Sequence, residues 1–83
     1  MNDAELRELV PQVLAVLVRR GNDFAAAEDA VQDALLEAHR SWPEHPPEDP
    51  KGWLVSVATR KLIDAYRSDV ARRRREDATL LEP

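Results

Sequence analysis

The chain has 83 residues, 34% of them charged, a net charge of −4 at pH 7 and no cysteine. That length supports one small domain with a small core and modest stability. The missing cysteines exclude a disulfide framework and a thiolate metal site. No apolar run approaches the roughly 20 residues needed to cross a bilayer. The two glycines, Gly21 and Gly52, lie too far apart to form a phosphate-cradling loop.

The opening stretch MNDAELRELV is acidic and amphipathic, unlike a secretory signal, and a reducing cytoplasmic setting is expected. Alternating apolar and polar residues of the strand type are absent, while Ala, Leu, Glu and Arg dominate, so the fold class is all-α. A first helix is predicted from Asp3 to Arg20, with Asn2 or Asp3 as cap and Leu6, Leu9, Val10, Val13, Leu14 and Leu17 on one face. Pro11 should kink it or restart it. Gly21 supplies the stop.

A second helix is predicted over Phe24–Ser41 behind Asp23, with Phe24, Ala27, Val31, Ala34, Leu35, Ala38 and Trp42 facing inward. The stretch Ser41–Lys51 holds four prolines and reads as a partly pre-shaped loop. Asp49 and Pro50 then form a start signal, cap followed by first helical position. The third helix runs from Pro50 to about Val70, or into the arginine run, with Leu54, Val57, Ala58, Leu62, Ala65 and Tyr66 as its core stripe. The expected architecture is a compact three-helix bundle with a kinked first helix, spanning residues 1–75. Residues 76–83 show no packing face and are expected to fray as a tail.

Charge divides the chain. Residues 1–50 hold four basic and eleven acidic side chains, net −7, whereas residues 51–75 hold eight basic and two acidic, net +6. The basic block carries an outward line of Trp53, Ser56, Arg60, Ile63 and Arg67, and ends in Arg72, Arg73, Arg74 and Arg75. Aromatic faces stack on unpaired bases and cations hold phosphates, so this line, with Lys61, is a candidate nucleic-acid surface. The plainer reading is a tryptophan at the edge of its own core and a solvated cationic end.

On the second helix, Asp29, Gln32, Asp33 and Leu36 recur at helical spacing on the polar side. An exposed leucine among carboxylates suits a basic partner helix, with the solvated face as the alternative. The two histidines, His39 and His45, fit no zinc spacing. No acid–base pair or nucleophile with a partner is visible, so neither an enzyme nor a cofactor or metal is expected.

The segment AEDAVQDALLEA (Ala27–Ala38), a variable loop, then WLVSVATRKLIDAYR (Trp53–Arg67) with trailing arginines resembles region 2 of bacterial RNA polymerase sigma factors, in particular the extracytoplasmic-function group. The resemblance spans nearly the whole chain. It implies that the second helix docks on the clamp helices of the polymerase β′ subunit through Asp29, Gln32, Asp33 and Leu36. It implies that the third helix binds the melting minus-ten promoter element through Trp53, Arg60, Lys61 and Arg67; Ser56, on the same outward line, and Arg72–Arg75, which could reach flanking duplex, are further DNA-binding candidates. The loop would cradle a base flipped from the single-stranded non-template strand, with His45, Pro46, Pro47, Glu48, Asp49 and Lys51 as candidates.

Asp64 matches the family's aspartate and is expected to pair with Arg60 or Arg67. Many members carry Ala-Arg-Asn where this chain has Ala58-Thr59-Arg60, so the base-proximal residues differ here. The family's helix-turn-helix domain for the minus-thirty-five element has no counterpart in these residues, which are expected to be an isolated domain or a fragment. The loop and the arginine end resemble subgroups with an extra C-terminal domain. The family also admits an inhibitory regulator as a partner. The alternative is a helical interaction module whose arginine end contacts duplex DNA without sequence preference.

Overall fold

The structure, a computed structural model, describes residues 3–81, with side chains described for residues 3–78. It is built from α1 (Asp3–Arg19), α2 (Phe24–Ser41) and α3 (Pro50–Leu81), and no strand occurs among the described residues. Asn2, one of two expected caps of α1, lies outside that range. Pro11 sits inside α1 without dividing it. It leaves the Arg7 carbonyl without its usual intrahelical donor, and one residue on the Gln12 side chain donates to the Glu8 carbonyl at 3.3 Å.

The turn from α1 to α2 is set by Gly21. It adopts φ 97°, a conformation that costs glycine nothing. Gly21 N–H donates to the Val18 carbonyl at 3.0 Å and Asn22 N–H to the Leu17 carbonyl at 3.2 Å, the paired bonds of a Schellman end. The Asn22 side-chain amide adds a second bond to Leu17 at 2.9 Å. Asp23 then caps α2, its carboxylate accepting from Ala26 N–H at 3.1 Å.

The core lies where the three helices meet. Leu6, Val13 and Leu17 come from α1; Ala27, Ala30, Val31, Ala34 and Ala38 from α2; Leu54, Val57 and Ala58 from α3. The alanines let α2 lie close against both neighbours, so small residues do the packing that larger side chains would otherwise do at greater separation. Two expected core residues are instead at the surface: Phe24 is 57% exposed and Tyr66 71% exposed. Ala65 is exposed as well. Phe24 is the first residue of α2, ahead of the packed region, and Ala65 and Tyr66 lie where α3 begins to leave its partners behind.

That departure is the main difference from the sequence reading. α3 has 32 residues against 17 and 18 in α1 and α2. At about 1.5 Å per residue it is some 48 Å long, roughly twice the others. It does not stop near Val70, and residues 76–81, expected to fray, are helical. Glu82 and Pro83 lie outside the described residues. The molecule measures 57 × 28 × 17 Å with a radius of gyration of 16.1 Å, against about 12 Å for a spherical domain of this length. A three-helix bundle therefore carries a single-helix arm, and on that arm residues 71–78 are all exposed.

Candidate functional site

The polar face of α2 is free of intramolecular cover. Asp29, Gln32, Asp33 and Leu36 are exposed, Leu36 at 54%, and all four project away from the buried Ala27, Ala30, Val31, Ala34 and Ala38. The helix spacing that buries the alanines obliges this stripe to face outward. Its arrangement is one apolar side chain flanked by carboxylates, with no ion pair to either Asp29 or Asp33 among the described residues.

On α3 the expected outward line divides. Ser56, Arg60, Ile63 and Arg67 are exposed, but Trp53 is half-buried. It flanks the core on the α2 side, where its ring meets Trp42 edge to face with centroids 5.2 Å apart. Lys61 is half-buried on the same side and donates to Glu37 of α2 at 3.3 Å. Arg60 reaches the other oxygen of that carboxylate at 3.8 Å. The expected pairing of Asp64 with Arg60 or Arg67 is not what the structure shows: Arg60 pairs with Glu37, and Asp64 is exposed with no ion pair among the described residues. Asp64 lies four residues after Arg60, within pairing reach on the same helix, but the Arg60 guanidinium is turned instead to the Glu37 carboxylate of α2.

The arginine run is presented on rigid helix. Arg72–Arg75 are exposed. Asp69 pairs with Arg72 at 2.6 Å and with Arg73 at 3.1 Å, three and four residues along the same helix.

The loop residues separate into two clefts. Pro46 and Pro47 line one of about 450 Å³ together with Trp42, His39 and Glu5. Asp49 and Lys51 line another of about 590 Å³ between α1 and α3, with Arg20, Ser56 and Thr59. His45 and Glu48 are exposed and line neither. Asp49 caps α3, accepting from Gly52 N–H at 3.1 Å, so one of the proposed base-contacting residues already has a structural task. A side chain on residue 52 would collide with that carboxylate, which is why glycine suits the position. No group of His, Cys, Asp and Glu that could hold a metal occurs among the described residues. Among the described residues no helix is long and apolar enough to cross a membrane.

Residues 6–75 match the family described as Sigma-70 region 2, a span that takes in all but the first residues of α1, the whole of α2 and the loop, and α3 through Arg75. The chain belongs to the sigma-70 region 2 family. Domains of this family are non-enzymatic transcription-initiation modules that bind RNA polymerase core and promoter DNA. A relative in Rhizobium meliloti (strain 1021), an uncharacterized protein, is 36% identical over 66 residues, which cover 78% of this chain. The chain spans only 16% of that relative's length. No solved structure matches.

In this sigma-70 region 2 domain, sequence reasoning missed two side chains that shape the surfaces. Glu37, which follows Leu36 on α2, bridges α2 to α3. Arg20, just past the end of α1, shares a cleft with Lys51. Trp42 packs against the core as expected, and its indole Nε1 is buried with no hydrogen-bond partner among the described residues. No single-helix pattern carries these pairings, since each depends on how two helices are set against one another.

Proposed function

We propose that this chain is the region 2 part of an extracytoplasmic-function sigma factor, acting in RNA polymerase holoenzyme to recognise and melt the minus-ten promoter element. In this reading Asp29, Gln32, Asp33 and Leu36 dock on the β′ clamp helices. The carboxylates steer a basic partner and the leucine anchors it. Trp53, Ser56, Arg60, Lys61 and Arg67 meet the unpaired non-template strand, and Arg72–Arg75 reach the flanking duplex along the arm. The loop, with His45, Pro46, Pro47, Glu48, Asp49 and Lys51, walls a base extruded from the stack. The process involves no covalent chemistry. Extruding a base costs a few kcal/mol, which stacking and phosphate contacts must offset.

The observation that carries this reading is the separation of two chemically opposite surfaces inside one family match. An exposed acidic stripe with a leucine lies on α2, and an exposed cationic helix with an aromatic at its head follows it. A domain that bridges a protein and a polyanion needs that separation. The test is a pull-down of the chain on a β′ clamp-helix fragment, run with assembly on core polymerase and a non-template minus-ten oligonucleotide. Capture by the fragment together with strand-selective DNA binding supports the proposal. DNA binding without capture favours the alternative of a non-specific helical module.

A further inference from the structure

We propose that Glu37 acts as a built-in stand-in for backbone phosphate: it occupies Arg60 and Lys61 in the free chain and must be displaced before a DNA strand can use them, so it lowers the affinity of α3 for single-stranded DNA. This rests on the reading of α3 as the promoter-strand surface.

The geometry is that of one carboxylate shared by two cations. Glu37 Oε1 takes Lys61 Nζ at 3.3 Å and Glu37 Oε2 faces Arg60 Nη2 at 3.8 Å. A phosphodiester offers the same thing, two anionic oxygens on one centre, and can replace the carboxylate without rebuilding the cations. The site is open to such exchange, because the Glu37 side chain is 35% exposed, Lys61 34% and Arg60 65%. Pairs this exposed are individually weak, and the apolar contacts of Leu54, Val57 and Ala58 against the α2 alanines already hold the two helices together. A purely structural role therefore explains little of why one acidic side chain of α2 sits among the cations of α3.

The arm repeats the arrangement. Asp69 faces Arg72 and Arg73 as Glu37 faces Arg60 and Lys61. Arg60, Lys61, Arg72 and Arg73 thus already have a carboxylate counter-ion. The difference is that Asp69 lies on the same helix, at spacings found on any charged helix, whereas Glu37 is contributed by α2. Removing the Glu37 charge frees both cations and also removes a negative group that would repel an approaching strand. Both effects tighten binding.

The experiment measures fluorescence anisotropy of a labelled, mixed-sequence single-stranded DNA oligonucleotide titrated with the full chain at low salt. Glu37→Gln is expected to tighten binding about two- to fivefold, with the gain fading as added salt screens exposed charges. Glu28→Gln, which removes one charge from the same helix away from Arg60 and Lys61, is the control for net charge and should change little. Placing Glu37→Gln on an Arg60→Ala, Lys61→Ala background should abolish the gain. Thermal melting confirms that each variant is folded. Unchanged or weaker binding by folded Glu37→Gln overturns the proposal. So does an equal gain from Glu28→Gln, or a gain that survives on the alanine background. If neither the parent chain nor Glu37→Gln binds the oligonucleotide, the reading of α3 fails and the proposal with it; binding by the parent with no gain overturns the proposal alone.

Discussion

The indole rings of Trp42 and Trp53 meet edge to face, with 5.2 Å between centroids and 73° between planes, and so tie the end of α2 to the start of α3 across the proline loop. Such a contact contributes roughly 0.5–1.5 kcal/mol beyond the burial of the rings. It also fixes the loop's two ends at one distance, which limits how far the loop can move while the bundle stays folded.

Trp53→Ala is therefore expected to destabilise the domain by about 2 kcal/mol. Trp53→Phe, which keeps an aromatic edge against Trp42, should recover most of that. Urea unfolding checks both. With the fold preserved in the phenylalanine variant, any remaining loss of affinity for unpaired over paired DNA reports on stacking rather than on stability.

Asp33→Arg and Leu36→Asp are expected to abolish capture by a β′ clamp-helix fragment while shifting stability by no more than about 0.5 kcal/mol. Both side chains are exposed, on the side of α2 away from its alanines. Pull-down and circular dichroism on the same samples check this, and full capture by both folded variants would remove the stripe from the interface.

Salt should weaken DNA binding with a log–log slope of about −3, from four or five phosphate contacts at roughly 0.7 each on single strands. Ending the chain after Val70 should flatten the slope and keep sequence preference, because phosphate contacts position and base contacts specify. The bundle should survive the truncation, since residues 71–78 are exposed and contribute nothing to the core. Anisotropy titrations across a salt series check the slope.

Asp49→Ala should cost about 1 kcal/mol by removing the cap on Gly52 N–H. It should also loosen the end of the loop and blunt any base preference the loop confers. Asp49→Asn, which retains the cap, should keep both. A thermal melt and a base-substitution series at one minus-ten position, run on the two variants, distinguish capping from a charge contact to DNA.

Much of this architecture is legible in the chain because local signals decide it. Gly21, Asp23 and the Asp49-Pro50 pair mark helix ends, and each is seen making the backbone bonds or occupying the position expected of it. The stripe of Asp29, Gln32, Asp33 and Leu36 follows from periodicity alone. The long arm was harder to read, because after Tyr66 no apolar periodicity marks where a helix stops when it packs on nothing. The exposure of Phe24 and Tyr66 has the same origin: an apolar residue at the right helical phase is buried only where a neighbouring helix is present to cover it. The Glu37 bridge and the two clefts depend on the relative setting of helices, which no single segment encodes.

The central claim is that this domain binds unpaired promoter DNA while held by polymerase. The most direct measurement is selection by the chain on core polymerase from a pool of DNA containing random single-stranded segments, with matched duplexes as competitor. The account predicts enrichment of one short motif on a single strand, with duplex of the same sequence competing poorly. Retention of duplex and single strands alike, with no motif enriched, would contradict it and leave a cationic helix that binds DNA by charge alone.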